Sequence, residues 1–118
     1  MGAQRYKGSC QCGAVRYEAT ADLDNTISCN CSRCGRLGSI LTFTPEDNFT
    51  LLSGEDSLSE YLFNRHAIHH LFCKVCGIQS FARGSTPDGK AVIAVNARCL
   101  EDVEPDRLTP KKVDGRSF

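Results

Sequence analysis

The sequence predicts a small all-β domain held together by metal ions. Two observations carry this: short runs of alternating or β-branched residues punctuated by turn residues, and seven of the eight cysteines gathered into three tight clusters. These are Cys10-Gln11-Cys12, Cys29-Asn30-Cys31-Ser32-Arg33-Cys34 and Cys73-Lys74-Val75-Cys76. Length is the third: 118 residues read as one domain over 1–118, with a core modest enough that a metal staple matters.

The elements follow in order. Gly8 to Gly13 reads as a turn around the first cysteine pair, and Ala14 to Ala19 as a strand in which Val15 and Tyr17 alternate with Arg16 and Glu18. Thr26 to Cys31 is a second strand running into a metal loop, and a helical turn carries Ser32 to Leu37 until Gly38 ends it. Ser39 to Thr44 is the next strand. Pro45 and Asp47-Asn48 make a turn, Phe49 to Leu52 a short strand, Ser53 to Asp56 another turn, and Leu58 to Phe63 is extended. His69 to Phe72 leads into Cys73-Lys74-Val75-Cys76-Gly77, and Gln79 to Arg83 leads out, the strand, knuckle, strand pattern of a zinc ribbon hairpin. Thr86 to Lys90 turns the chain, and Ala91 to Val95, apolar on both faces, predicts a central strand. The polar tail Glu101 to Phe118, with Pro105 and Pro110, predicts irregular structure over the sheet.

Charge is balanced, fourteen basic against fourteen acidic residues, and aromatics are few. Neither favours nucleic acid, which calls for a basic face with stacking residues, nor an anionic membrane. The expected partner is small. No run of about 18 apolar residues is present, and Met1 to Tyr6 lacks the apolar stretch of a signal peptide, so the expected location is cytoplasmic. In that reducing compartment, C-x-C and C-x-x-C pairs read as metal ligands rather than as a disulfide framework.

Residues i and i+2 of an extended segment point the same way, so Cys10 and Cys12 can grip one ion. Cys73 and Cys76 suit a knuckle whose backbone amides turn toward the sulfurs. Two pairs complete a tetrahedron, which assigns Cys10, Cys12, Cys73 and Cys76 to a structural zinc closing a loop of about 60 residues. Cys29, Cys31 and Cys34 then hold a second zinc with three thiolates and one position left for substrate, the arrangement of a catalytic site. Alternatively Cys99 or a histidine supplies a fourth ligand and makes the second site structural too.

The motifs Gly8-Ser9-Cys10-Gln11-Cys12-Gly13-Ala14-Val15-Arg16-Tyr17, Cys29-Asn30-Cys31-Ser32-Arg33-Cys34, Gly38-Ser39, Phe72-Cys73-Lys74-Val75-Cys76-Gly77 and Val95-Asn96-Ala97-Arg98-Cys99-Leu100 resemble the glutathione-dependent formaldehyde-activating enzyme family, which also includes centromere protein V. Asp114-Gly115-Arg116 resembles a closing motif of some members. The resemblance implies stacked antiparallel sheets in a tent-like zinc fold, a structural zinc at the two pairs and a catalytic zinc at the triplet. It also implies carbon-sulfur lyase chemistry, joining glutathione to formaldehyde as S-hydroxymethylglutathione. The enzyme that names the family is longer than this near-minimal chain. The competing reading is a noncatalytic zinc-stabilised module that binds a protein partner.

Supporting residues stay open between two roles. Arg33 and Arg36 flank the triplet and either meet substrate carboxylates in a bidentate fork or are surface charges. Asn96 and Arg98 either reach a pocket or hold a loop. His66, His69 and His70 precede the second knuckle; His69 and His70 are strand neighbours, so at most one points inward.

Overall fold

The computed structural model describes residues 2–117. In chain order the strands are β1 Ala3–Ser9, β2 Arg16–Asp22, β3 Ile27–Cys29, β4 Leu41–Pro45, β5 Phe49–Ser53, β6 Leu58–Tyr61, β7 His69–Cys73, β8 Phe81–Ser85, β9 Ala91–Asn96 and β10 Lys111–Val113. A single helical turn, α1 Cys34–Leu37, interrupts them. Strands β1-β2-β5 form a three-stranded sheet, and β10-β3-β4-β9-β8-β7-β6 a seven-stranded one. The protein is mostly β, as the turn spacing predicts.

Alternation explains the packing. Along β2, Tyr17, Ala19 and Ala21 face inward while their neighbours do not. Tyr17 and Phe49 from the small sheet meet Phe81 from the large one, with ring centroids 4.7 to 5.7 Å apart. These aromatics bury large areas at offset angles and form the heart of the core, with Ile93 and Val95 of β9 beside them. β9 lies inside the large sheet between β4 and β8, as its two apolar faces predict. Two threonines of β4 also tie the sheets: Thr42 Oγ1 donates to the carbonyl of Asp22 at 3.2 Å, and Thr44 Oγ1 to that of Thr20 at 2.7 Å.

Two turns depend on the left-handed region. Gly38 caps α1 at φ 70°, where the sequence places the end of the helical turn. Gly54 sits at φ 93°, and a Cβ there would run into the backbone of Ala14 and Val15. The turn Ser53–Asp56 is therefore pressed directly against the start of β2.

The tail differs from expectation. It is not irregular throughout: Lys111–Val113 forms β10, which pairs with β3 in parallel and sits at the edge of the large sheet. That pair is the exception to the otherwise antiparallel ladders among the described residues. Two lysines after Pro110 hide a strand whose backbone is held by β3 rather than by its own side-chain pattern. β1 is also present where no strand is predicted, because its mostly exposed residues carry little apolar signal. Phe118, to which the tail reading extends, and Met1 lie outside the described residues. No helix among the described residues is long and apolar enough to cross a membrane.

Candidate metal centres

The turn between β1 and β2 delivers Cys10 and Cys12, and the knuckle after β7 delivers Cys73 and Cys76. Their four sulfurs lie within 4.8 Å of one another. The knuckle closes tightly: Gly77 N donates to the carbonyl of Cys73 at 2.7 Å. Because one pair belongs to the small sheet and the other to the large sheet, the cluster lies where the two sheets meet, and an ion held there would clip them together.

Backbone amides turn toward these sulfurs. Val15 N donates to Cys10 Sγ at 3.3 Å, and the N–H groups of Cys12 and Ile78 draw the Cys76 thiol down to about 6. The Ala14 N–H favours a thiolate at Cys12 too, yet desolvation and the crowding sulfurs of Cys10, Cys73 and Cys76 push it up to about 11. Four sulfurs this close compete for protons, and a divalent cation at their centre removes the conflict. The donor set fits zinc, which takes four thiolates tetrahedrally.

The second cluster is local. β3 ends on Cys29, the loop carries Cys31, and α1 begins at Cys34, whose sulfur comes within 4.8 Å of the other two. Burial pushes the Cys34 thiol up to about 12, reinforced by the Cys31 sulfur and opposed by the Ser39 hydroxyl. Burial also resists ionisation of Cys31, but the N–H groups of Cys34 and Arg33 and the neighbouring thiols hold it below the ordinary thiol value. Cys34 N donates to Cys31 Sγ at 3.3 Å. Three sulfurs arranged on this polar turn also suit zinc. Among the described residues, no fourth His, Cys, Asp or Glu atom joins them within that radius.

Cys99 does not close this cluster. It ends a 3-10 turn, Ala97–Cys99, where its Sγ lies 3.9 Å from the carbonyl of Gln79. Burial raises its thiol, and Cys10 and Cys76 are the sulfurs that add to that effect, so it belongs to the four-sulfur side of the molecule.

Arg33 is neither a free surface charge nor an open anchor. Its Nε and Nη2 both donate to Gln79 Oε1, at 3.0 and 2.7 Å, and its guanidinium lies 4.8 Å over the Tyr61 ring. Arg36 donates from Nη1 to the carbonyl of Ser32 at 2.8 Å. Both arginines line a cavity of about 480 Å³ together with Ser32, Leu37, Tyr61 and Phe63. A second cavity of about 380 Å³ includes Cys10, Gln79, Asn96, Arg98 and Cys99, and shares Leu37 with the first. Asn96 takes its loop role: its side chain donates to the carbonyl of Gln79 and accepts from Arg98 N. Arg98 donates from Nε to the carbonyl of Gly38.

The histidines sort as strand geometry predicts. His70 is buried and stacks on Phe63 at 5.0 Å, whereas His69 faces outward to Glu60 at 3.1 Å. His66 is exposed, at φ 57°. Burial, the Arg33 charge and His69 all lower the His70 pKa. The sequence reading missed Tyr61, Phe63 and Gln79 as site walls. Gln79 bonds across 46 positions to Arg33, and no local pattern announces such a pair.

Fold and clusters together define a class: a small two-sheet β protein with one four-sulfur and one three-sulfur cluster, each able to hold a zinc ion. Residues 5–114 match the family model described as glutathione-dependent formaldehyde-activating enzyme, and the chain belongs to that family. It is also similar to the crystal structure of a Rhodobacter sphaeroides protein, with a TM-score of 0.80 and 30% identity over 90% of this chain and 97% of that one.

Proposed function

We propose that this protein is a zinc-dependent enzyme of carbon-sulfur chemistry acting on a small thiol-aldehyde adduct, with glutathione and formaldehyde as the candidate pair. The observation that carries the reading is the three-sulfur cluster, on a loop whose Ser32, Arg33 and Arg36 line a cavity of ligand size, about 480 Å³. Cys10, Cys12, Cys73 and Cys76 hold a structural zinc. Cys29, Cys31 and Cys34 hold the catalytic one. Zinc bound at the triplet would supply a lowered thiol pKa and a polarised carbonyl oxygen.

In the joining direction the thiol sulfur bonds to the aldehyde carbon, the carbonyl π bond opens, and the thiol proton ends on the new hydroxyl oxygen. The reverse breaks the carbon-sulfur bond, which makes the enzyme a lyase. The chain's own residues orient the thiol carrier. Arg36, held at one nitrogen by Ser32, turns the rest of its fork to a substrate carboxylate. Arg33, fixed by Gln79 and Tyr61, forms a rigid wall. A site built on free cysteines suits a reducing compartment, which supports a cytoplasmic location.

The test is product formation from glutathione and formaldehyde, followed by mass spectrometry, for the zinc-loaded protein and for Cys31→Ser. Turnover is expected to vanish in the variant. Unchanged turnover and zinc content in Cys31→Ser would sink the reading.

A further inference from the structure

The end of the chain lies on the triplet. β10 pairs in parallel with β3, setting Val113 opposite Cys29, so the residues after Val113 run beside the first ligand. Gly115 is where they touch: a Cβ there would overlap Cys29 Sγ and lie 3.3 Å from Cys31 Cβ. No side chain fits between this backbone and the sulfur.

Asn30, the residue between the first two ligands, fastens the segment at three points. Its N–H donates to the carbonyl of Val113 at 3.1 Å. Its Nδ2 donates to Asp114 Oδ1 at 2.9 Å, and its Oδ1 accepts from Arg116 N at 2.9 Å. Ser117 Oγ donates to the other Asp114 oxygen at 2.6 Å. One exposed amide therefore spans Asp114 to Arg116 with both its ends and straddles Gly115, more than 80 positions away in sequence. A loop carrying three ligands on mobile side chains would pay for its own ordering each time a metal bound; the strap orders it beforehand.

We propose that Asp114–Ser117 is a positioning strap for the triplet: Asn30 holds it, Gly115 permits its close approach, and together they fix Cys29 and Cys31 at ligand spacing and cover one side of the site. The inference rests on the reading of the triplet as a zinc site. Asn30 and Gly115 are positioning residues. With that side covered, the remaining coordination position is reached from elsewhere around the triplet.

The experiment follows zinc release from the full-length protein to a chromogenic chelator, with total zinc by elemental analysis. Asn30→Ala and Gly115→Ala are expected to release the second zinc about tenfold faster or more, as loss of support around metal ligands commonly does. The first zinc should leave at the wild-type rate. The double exchange Asn30→Asp with Asp114→Asn restores both side-chain bonds, the one between the two side chains with donor and acceptor reversed and the one from Arg116 N accepted as before by an oxygen at position 30, and is expected to return release to near the wild-type rate. Should Gly115→Ala fail to fold, the exposed Asn30 variants carry the comparison. Wild-type release from Asn30→Ala, or no rescue by the exchange, would overturn the strap. A wild-type protein that binds a single zinc would overturn the two-zinc reading itself.

Discussion

The two clusters differ in the length of chain they close, and this sets a measurable difference in stability. Cys12 and Cys73 are 61 positions apart, whereas Cys29 and Cys34 enclose only a short local loop. Closure entropy grows as three-halves RT times the logarithm of loop length, so the clip constrains the unfolded chain by about 2 kcal/mol more than the triplet does. At this chain size that is roughly 8 °C in melting temperature. The comparison uses Cys12→Ser/Cys76→Ser against Cys29→Ser/Cys31→Ser, each lacking two ligands, so that the metal-sulfur terms largely cancel. Zinc-loaded samples are melted by circular dichroism, with zinc content measured on the same samples. The clip variant is expected to melt at least roughly 8 °C below the triplet variant, or to show no cooperative transition, because a structural zinc can supply on the order of 10 kcal/mol. Equal melting temperatures, or a lower one for the triplet variant, would refute the assignment of the structural role to the four-sulfur cluster.

Gly54→Ala combines a left-handed backbone with a clash against Ala14 and Val15, and is expected to lower stability by about 1 to 3 kcal/mol in urea melts; no change would mean the turn relaxes freely. His70 has a folded pKa below its ordinary 6.5, so the unfolded state takes up its proton first and stability falls as pH drops below that value. His70→Phe, which keeps the stack on Phe63, should flatten that part of the stability profile, measured as the difference between the two proteins to cancel acid loss of zinc. Arg36→Ala should raise KM for a carboxylate-bearing thiol about tenfold with kcat unchanged, the signature of lost uniform binding; a fall in kcat alone would contradict the anchoring role.

How much of this was legible in the sequence depended on distance along the chain. The sulfurs within the Cys73–Cys76 knuckle and within the triplet meet as their spacing suggests, because each forms within a few residues, whereas the meeting of Cys10 and Cys12 with Cys73 and Cys76 is long-range and follows from how the two sheets pack. β9 is equally readable, since a strand buried on both faces must be apolar throughout. The edges are not. β10 is two lysines and a valine, residues that suit an exposed edge and resemble loop, and its existence depends on β3 lying alongside. The surroundings of Arg33 and Cys99 were undecidable locally for the same reason: Gln79 accepts from the first with its side chain, and the second lies against the Gln79 carbonyl, apart from the three triplet sulfurs.

Gln79 also shows why the two centres are not independent. It follows Cys76 by three residues, is almost fully buried, and holds the arginine that lies between Cys31 and Cys34. The segment after the Cys73–Cys76 knuckle thus reaches the triplet loop through Gln79, whose Oε1 accepts two bonds from Arg33, while the strap reaches it from the opposite end of the chain through Asn30. A loop carrying three ligands has little apolar surface with which to order itself. Its shape is supported from both sides: by the knuckle through the Gln79 and Arg33 contact, and by the strap, which Asn30 and the β3 and β10 pairing hold in turn. Disturbing the clip should therefore loosen the triplet as well, whereas disturbing the triplet leaves the sheets joined through the clip and the Tyr17, Phe49 and Phe81 core.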